Sequence, residues 1–171
     1  MRGIRILGLL LILLLPMLAL AATPDIPVKD MQGRQRNMSE YIGRGDWTVV
    51  AIWAHNCHVC NQEIHQMSFF HDEHKGKGIK VLGVSVDGWS RQKQALGFVK
   101  KHDLEFPNLI IEPRQEMMLR FGGGRFVGTP TFYVYTPKGE LVARNIGPVS
   151  GDTIAQFIKS YNKQAKLQNQ K

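Results

Sequence analysis

Beyond residue 21 the chain has no long apolar run, so nothing in that part is equipped to cross a bilayer as a helix. Cysteine is nearly as scarce, with two in 171 residues. No second ligand pair therefore exists to complete a structural zinc site. Clustered cations interleaved with aromatics are also missing: Lys and Arg are spread from Lys29 to Lys171, and only Lys100 and Lys101 are adjacent. That spacing argues against nucleic acid as a partner. Gly122-Gly123-Gly124 is followed by no Lys-Ser/Thr pair and opens no helix, which excludes a phosphate-cradling loop. No flavin or nucleotide fingerprint, internal repeat or low-complexity linker is present.

What remains is ordinary globular material, 43% hydrophobic and 21% charged. The length fits a single core. Residues 1–21 stand apart. Arg2 and Arg5 lead a nearly unbroken apolar stretch over 6–20, Pro16 breaks it late, and Ala19-Leu20-Ala21 offers small residues where a signal peptidase reads. A secretory signal cut before Ala22 is expected, with an uncleaved anchor as the competing reading. Loss of Arg2 and Arg5 takes the net charge from +8 to +6, a solubilising excess with some attraction for anionic lipid or acidic partners. Residues 22–171 are expected to form one soluble domain with a frayed C-terminal tail.

Hydrophobic periodicity orders that domain. Residues 47–54 (WTVVAIWA) and 79–86 (IKVLGVSV) read as strands buried on both faces. Between them, Cys60, Ile64, Met67 and Phe70 fall at helical spacing over 58–74, with Glu63 on the same face, and Gly76 and Gly78 end that helix. Ser90 is placed to cap a helix through Lys101, extended chain resumes over 107–111, and 115–121 is a short helix stopped by the three glycines. Residues 131–135 and 140–146 flank Pro137-Lys138-Gly139 as an antiparallel hairpin. A closing helix covers about 153–161. This order predicts an α/β fold with a parallel strand pair and an antiparallel edge.

Both cysteines lie in WAHNCHVCNQE, a Cys-x-x-Cys opening a helix straight after a buried strand. Cys57 at the helix start is favoured as thiolate by unpaired N–H groups and the helix dipole, and Cys60 is one turn inside, within reach for a disulfide. A Cys/His copper or zinc delivery protein is the alternative, because His55, His58 and His65 lie nearby in sequence. His65, however, would turn off the face of Cys57. Haem attachment would need His where Asn61 stands.

AIWAHNCHVCNQE together with VGTPTFYVYTPKGELV resembles the thioredoxin superfamily, and within it the secreted TlpA/ResA/DsbE-like thiol-disulfide oxidoreductases. The likeness spans about residues 27–158. It implies a thioredoxin-like fold, a central mixed sheet flanked by helices with a short N-terminal hairpin added. It further implies that Cys57 attacks, Cys60 resolves, Glu63 moves protons for Cys60, and Thr129-Pro130 forms a cis-proline loop. The substrate-facing set would be Thr129, Pro130, His58 and Trp53, with Trp53 packing beneath the site. No metal or organic cofactor is expected, since the two sulfurs are the redox centre. By the same resemblance the protein would be periplasmic and monomeric, taking electrons from a membrane thiol donor of the DsbD/CcdA kind and passing them to oxidised secreted proteins. A disulfide oxidase of the same fold is the alternative direction. An isomerase would need a dimerisation region for which the chain has no room. Several positions depart from the family pattern: Asn56 replaces the aromatic before the first cysteine, Val59 and His65 replace prolines, and Ala51 stands where cytoplasmic thioredoxins carry a strand acid.

Overall fold

The computed structural model describes residues 23–168. The expected leader over 1–21, with its cleavage point, lies outside the described residues. Among the described residues no helix is long and apolar enough to cross a membrane.

The seven residues Trp47–Trp53 form strand β3, and every one is buried. Successive side chains alternate between the two faces of a sheet, so a strand with no exposed member must be covered on both. Val49, Ala51 and Trp53 join Met67, Phe70, Phe98, Ile154 and Ile158 on one side. Val50 and Ile52 meet Ile26, Met38, Met118, Phe121 and Tyr133 on the other.

β1 (Pro27–Asp30), β2 (Gln35–Asn37), β4 (Ile79–Ser85), β5 (Asn108–Ile110), β6 (Thr131–Tyr135) and β7 (Leu141–Ile146) complete one seven-stranded sheet. Its order is β2-β1-β5-β4-β3-β6-β7. β3, β4 and β5 are parallel, whereas β6 and β7 add antiparallel on one side and β1 and β2 on the other. Helices α2 (His65–His74), α3 (Gln92–Lys101) and α5 (Gly151–Gln168) supply residues to the first face, and α4 (Gln115–Leu119) to the second. The fold is thus α/β and thioredoxin-like, and the short N-terminal hairpin docks on β5 through Lys29 opposite Ile110.

The hairpin turn is built around Asp30. Its Oδ1 accepts from the Gln32 and Arg34 amides at 2.9 and 3.0 Å, while Arg34 Nε donates to Oδ2 at 2.6 Å. Asn37 then caps a 3-10 turn, Met38–Glu40, and the Glu40 carboxylate returns to the Asn37 amide in a capping box.

Three details differ from the sequence expectation. The helix over 58–74 is split into α1 (His58–Glu63) and α2 at Ile64, where Met67 N turns to Ile64 O at 3.0 Å although Ile64 keeps helical angles. Ser90 does not cap α3. It sits inside a 3-10 turn, Trp89–Arg91, whose first amide is taken by Glu112 Oε1 at 2.7 Å. α5 continues past Tyr161 to Gln168 instead of fraying, because Lys, Gln, Ala and Leu are good helix formers and lysines suit a helix C-terminus. The three-glycine segment is held in place. All three glycines take positive φ, and Arg144 donates to Gly123 O and Arg125 O at 2.5 and 2.8 Å.

α2 also places a histidine against the sheet. His71 Nδ1 accepts from the Val81 amide at 3.3 Å, so this contact needs the unprotonated ring nitrogen, and burial pushes its pKa below the ordinary 6.5. A histidine depressed in the folded state contributes stability that is present above pH 6.5 and lost as pH falls through the lower folded value. His71→Gln should therefore flatten the fall in unfolding free energy on acidification below neutrality. An unchanged slope in urea titrations across that range would remove His71 as its source.

Candidate active site

The turn that follows β3 delivers the cysteine pair. Trp53 pairs with Ser85 at the end of β4, Ile52 pairs with Thr131 at the start of β6, and the chain then leaves the sheet over Ala54 to Cys57. Cys57 is the N-cap of α1, with extended angles, and its Sγ accepts from the Cys60 amide at 3.1 Å. The two sulfurs are bonded, with their Cα atoms 5.2 Å apart. Burial divides them: Cys57 is partly exposed and Cys60 is 1% exposed. Only the first sulfur is open to a macromolecular client, and the second can be reached from the first.

The other expected site residues gather around this edge to different degrees. The Thr129-Pro130 peptide is cis, and Pro130 is buried at the head of β6, on the edge where β3 ends. Gly128 O accepts from Thr131 Oγ1 at 2.6 Å, and Pro130 O from Gly147 N at 2.9 Å, which fixes the loop from both sides. His58 is exposed beside Cys57. Glu63 is half-buried at the end of α1 and accepts a hydrogen bond from Gln66 Nε2. Trp53 cannot be a substrate contact, because it has no exposed surface. Its ring stacks on Phe98 at 4.4 Å between centroids, beneath the cysteine turn.

Sequence reasoning missed the groups that hold the turn in place. Asp87, just past β4, has a side chain 1% exposed and accepts from the His55 amide at 3.0 Å and from Ser85 Oγ at 2.6 Å, while His55 Nδ1 lies 2.5 Å from its other oxygen. On the opposite side, Asn61 Nδ2 donates to His55 O and Cys57 O at 3.0 and 2.9 Å, and its Oδ1 accepts from Lys101 Nζ at 2.9 Å with His102 Nε2 at 3.1 Å. The turn carrying Cys57 is therefore tied to β4 and to the end of α3. Asp87→Ala should cost about 2 kcal/mol in chemical unfolding, since it strands buried donors, and Asp87→Asn should cost less because one acceptor remains. Equal stability of both variants with the parent would dismiss the clamp.

His55 is thus committed to Asp87 and is not gathered with the cysteines. Among the described residues no three His, Cys, Asp or Glu side chains form a metal-ligating group.

A disulfide with one buried and one partly exposed sulfur, beside a cis-proline loop at one sheet edge, suits dithiol–disulfide exchange, and known proteins with similar chains have that activity in their names. Over 141 residues the chain is 26% identical to the thiol-disulfide oxidoreductase ResA of Oceanobacillus iheyensis, covering 80% of this chain and 69% of that one. It is 20% identical over 137 residues to the thiol:disulfide interchange protein DsbE of Allochromatium vinosum, covering 80% and 71%. The fold matches the crystal structure of a secreted Mycobacterium tuberculosis disulfide oxidoreductase homologous to E. coli DsbE, with a TM-score of 0.62, 18% identity and coverage of 80% and 96%. Residues 20–144 match the AhpC/TSA family. With well over half of its length inside that match, the chain belongs to the AhpC/TSA family, as a thiol-disulfide oxidoreductase of the ResA/DsbE type.

Proposed function

We propose that this oxidoreductase works in an exported compartment, the bacterial periplasm, as a reductase of oxidised secreted proteins. The observation that carries the reading is the unequal exposure of the two sulfurs on an edge that also holds the Thr129-Pro130 loop. In the reduced state the Cys57 thiolate attacks one sulfur of a client disulfide. The client S–S bond breaks, a mixed disulfide forms at Cys57, and the departing client thiolate takes up a proton. Cys60 then gives up its proton and attacks Cys57 Sγ, which restores the Cys57–Cys60 disulfide and frees the second client thiol. Two electrons pass from the pair to the client.

Glu63, three residues beyond Cys60, is the group we assign to proton exchange with the resolving thiol. Thr129 and Pro130 shape the groove for an extended client segment, and His58 lies at its rim. A membrane thiol donor of the DsbD/CcdA kind returns the two electrons. The leader expected over 1–21 and the secreted character of the M. tuberculosis relative support the exported location.

The test is the reduction potential of the pair, read by thiol trapping across graded dithiol buffers. A reductase should sit near or below about −230 mV, on the thioredoxin and glutaredoxin side of the scale. A value above about −150 mV would assign the protein to oxidation of secreted thiols instead.

A further inference from the structure

The sheet edge opposite the disulfide carries a basic groove. α5 has a single carboxylate, Asp152 in its first turn, and then Lys159, Lys163 and Lys166 on one stripe of its second half. All three lysines are exposed. With His74 at the end of α2 they line an open groove of about 600 Å3, whose apolar lining includes Ile79 and Ile158 and which, among the described residues, no carboxylate lines.

The groove has a defined place relative to the chemistry. Tyr161 meets Trp47, the first residue of β3, edge to face at 5.3 Å between centroids, and Ile79 is the first residue of β4. The groove therefore sits where β3 and β4 begin, and Cys57 follows where β3 ends, roughly 20 Å away along the strand. Thr23 lies at this same edge. Its Cγ2 is so close to Gly43 and to Gly139 of the β6–β7 turn that a Cβ added to either glycine would be 2.5 Å from it. Tyr135, which leads into that turn, pairs with Thr48 at the start of β3. Thr23, the first described residue, thus stands on the basic side. Exposed Lys138 stands in the same turn. Among the acids near this edge, Asp46 lies 3.9 Å from Lys80, Asp72 and Glu105 lie 2.6 and 3.9 Å from Lys75, and Glu140 is exposed, and none of the four lines the groove.

We propose that this edge docks on an anionic lipid surface, with headgroup phosphates against Lys159, Lys163 and Lys166 and the disulfide directed away from the bilayer. Lysine is a compact charge on a long apolar stem, so its ammonium can meet a phosphate while the stem covers apolar surface. Leu167, 54% exposed beside Lys166, adds an apolar contact at the same end of α5. Three lysines engaging one charged surface act within a single Debye length of it, and the attraction is erased by salt.

The full chain should be partitioned onto phosphatidylcholine vesicles with and without about one third phosphatidylglycerol, so that the ratio of the two isolates the charge-dependent part from any insertion of the leader. Each lysine at the surface is worth roughly 5-fold, and the variant K159Q/K163Q/K166Q should lower the ratio on the order of 100-fold while keeping thiol turnover. Molar salt should abolish the parent's preference. A second variant, K93Q/K100Q/R114Q, removes the same charge from exposed positions on α3 and just before α4 and should change the ratio less than about 3-fold. Equal losses in the two variants would reduce the effect to net charge and overturn the docking face. A parent ratio near one would overturn it too, and retention on heparin alongside that ratio would assign the lysines to a soluble polyanion.

Discussion

Cys57→Ser should lose dithiol-dependent turnover of a disulfide substrate by on the order of 1,000-fold or more, while Cys60→Ser should complete the first step and stop there, covalently joined to its client. The asymmetry follows from burial. Cys57 sits at the cap of α1 with part of its surface open, whereas Cys60 is 1% exposed and packs among Trp53, Ile64 and Met67. A client sulfur can reach the first and not the second. With Ser at 60, the mixed disulfide has no internal thiol to resolve it, so non-reducing electrophoresis of extracts should show client adducts on that variant and none on Cys57→Ser. Adducts on Cys57→Ser through Cys60, at yields like those of the reverse variant, would invert the assignment of roles. The same experiment identifies clients by mass spectrometry of the trapped partner.

The chemistry was legible because it is local. A buried strand, two cysteines three apart and the start of a helix lie within a dozen residues, and the periodicity of Ile64, Met67 and Phe70 fixes which way the second cysteine faces. The parallel pair and the hairpin were legible for the same reason, since runs of β-branched residues bounded by turn signals declare strands wherever they lie. The clamp on the cysteine turn was not. Asp87 directly follows a strand and reads as an ordinary turn acid. Only the register of β3 on β4, with Trp53 opposite Ser85, carries it to His55. Asn61 reaches Lys101 and His102 some forty residues on, a contact that no local pattern encodes. The split at Ile64 and the extension of α5 were missed differently. Apolar spacing marks a helix only where it packs, so it reported neither a change of hydrogen-bond partner inside the packed stretch nor a continuation into solvent.

Gly83 shows the same limit from the side of stability, and Gly83→Ala should cost about 3 kcal/mol in guanidinium unfolding, at the upper end of what overpacking a core does. In the sequence this glycine is only a weak point in a strand, flanked by Leu82 and Val84. In the sheet it lies between Ala51 of β3 and Asn108 of β5, and a Cβ there would fall 2.0 Å from Asn108 Oδ1 and 2.9 Å from both Trp53 Nε1 and Phe106. None of the three neighbours is free to give way. Asn108 Nδ2 donates to Phe106 O at 2.7 Å, Phe106 is 2% exposed, and Trp53 is stacked on Phe98 with no exposed surface. The added methyl must therefore push Trp53, and Trp53 leads directly into the turn that presents Cys57, so the reduced variant should also show an altered rate of Cys57 alkylation. Gly97 provides the contrast. It lies exposed in α3, nothing stands within 4 Å of a Cβ placed there, and Gly97→Ala should stabilise by about 0.5–1 kcal/mol through helix propensity alone. If both substitutions shift stability in the same direction, crowding at Gly83 is not what sets the cost, and Trp53 is not the rigid floor of the site.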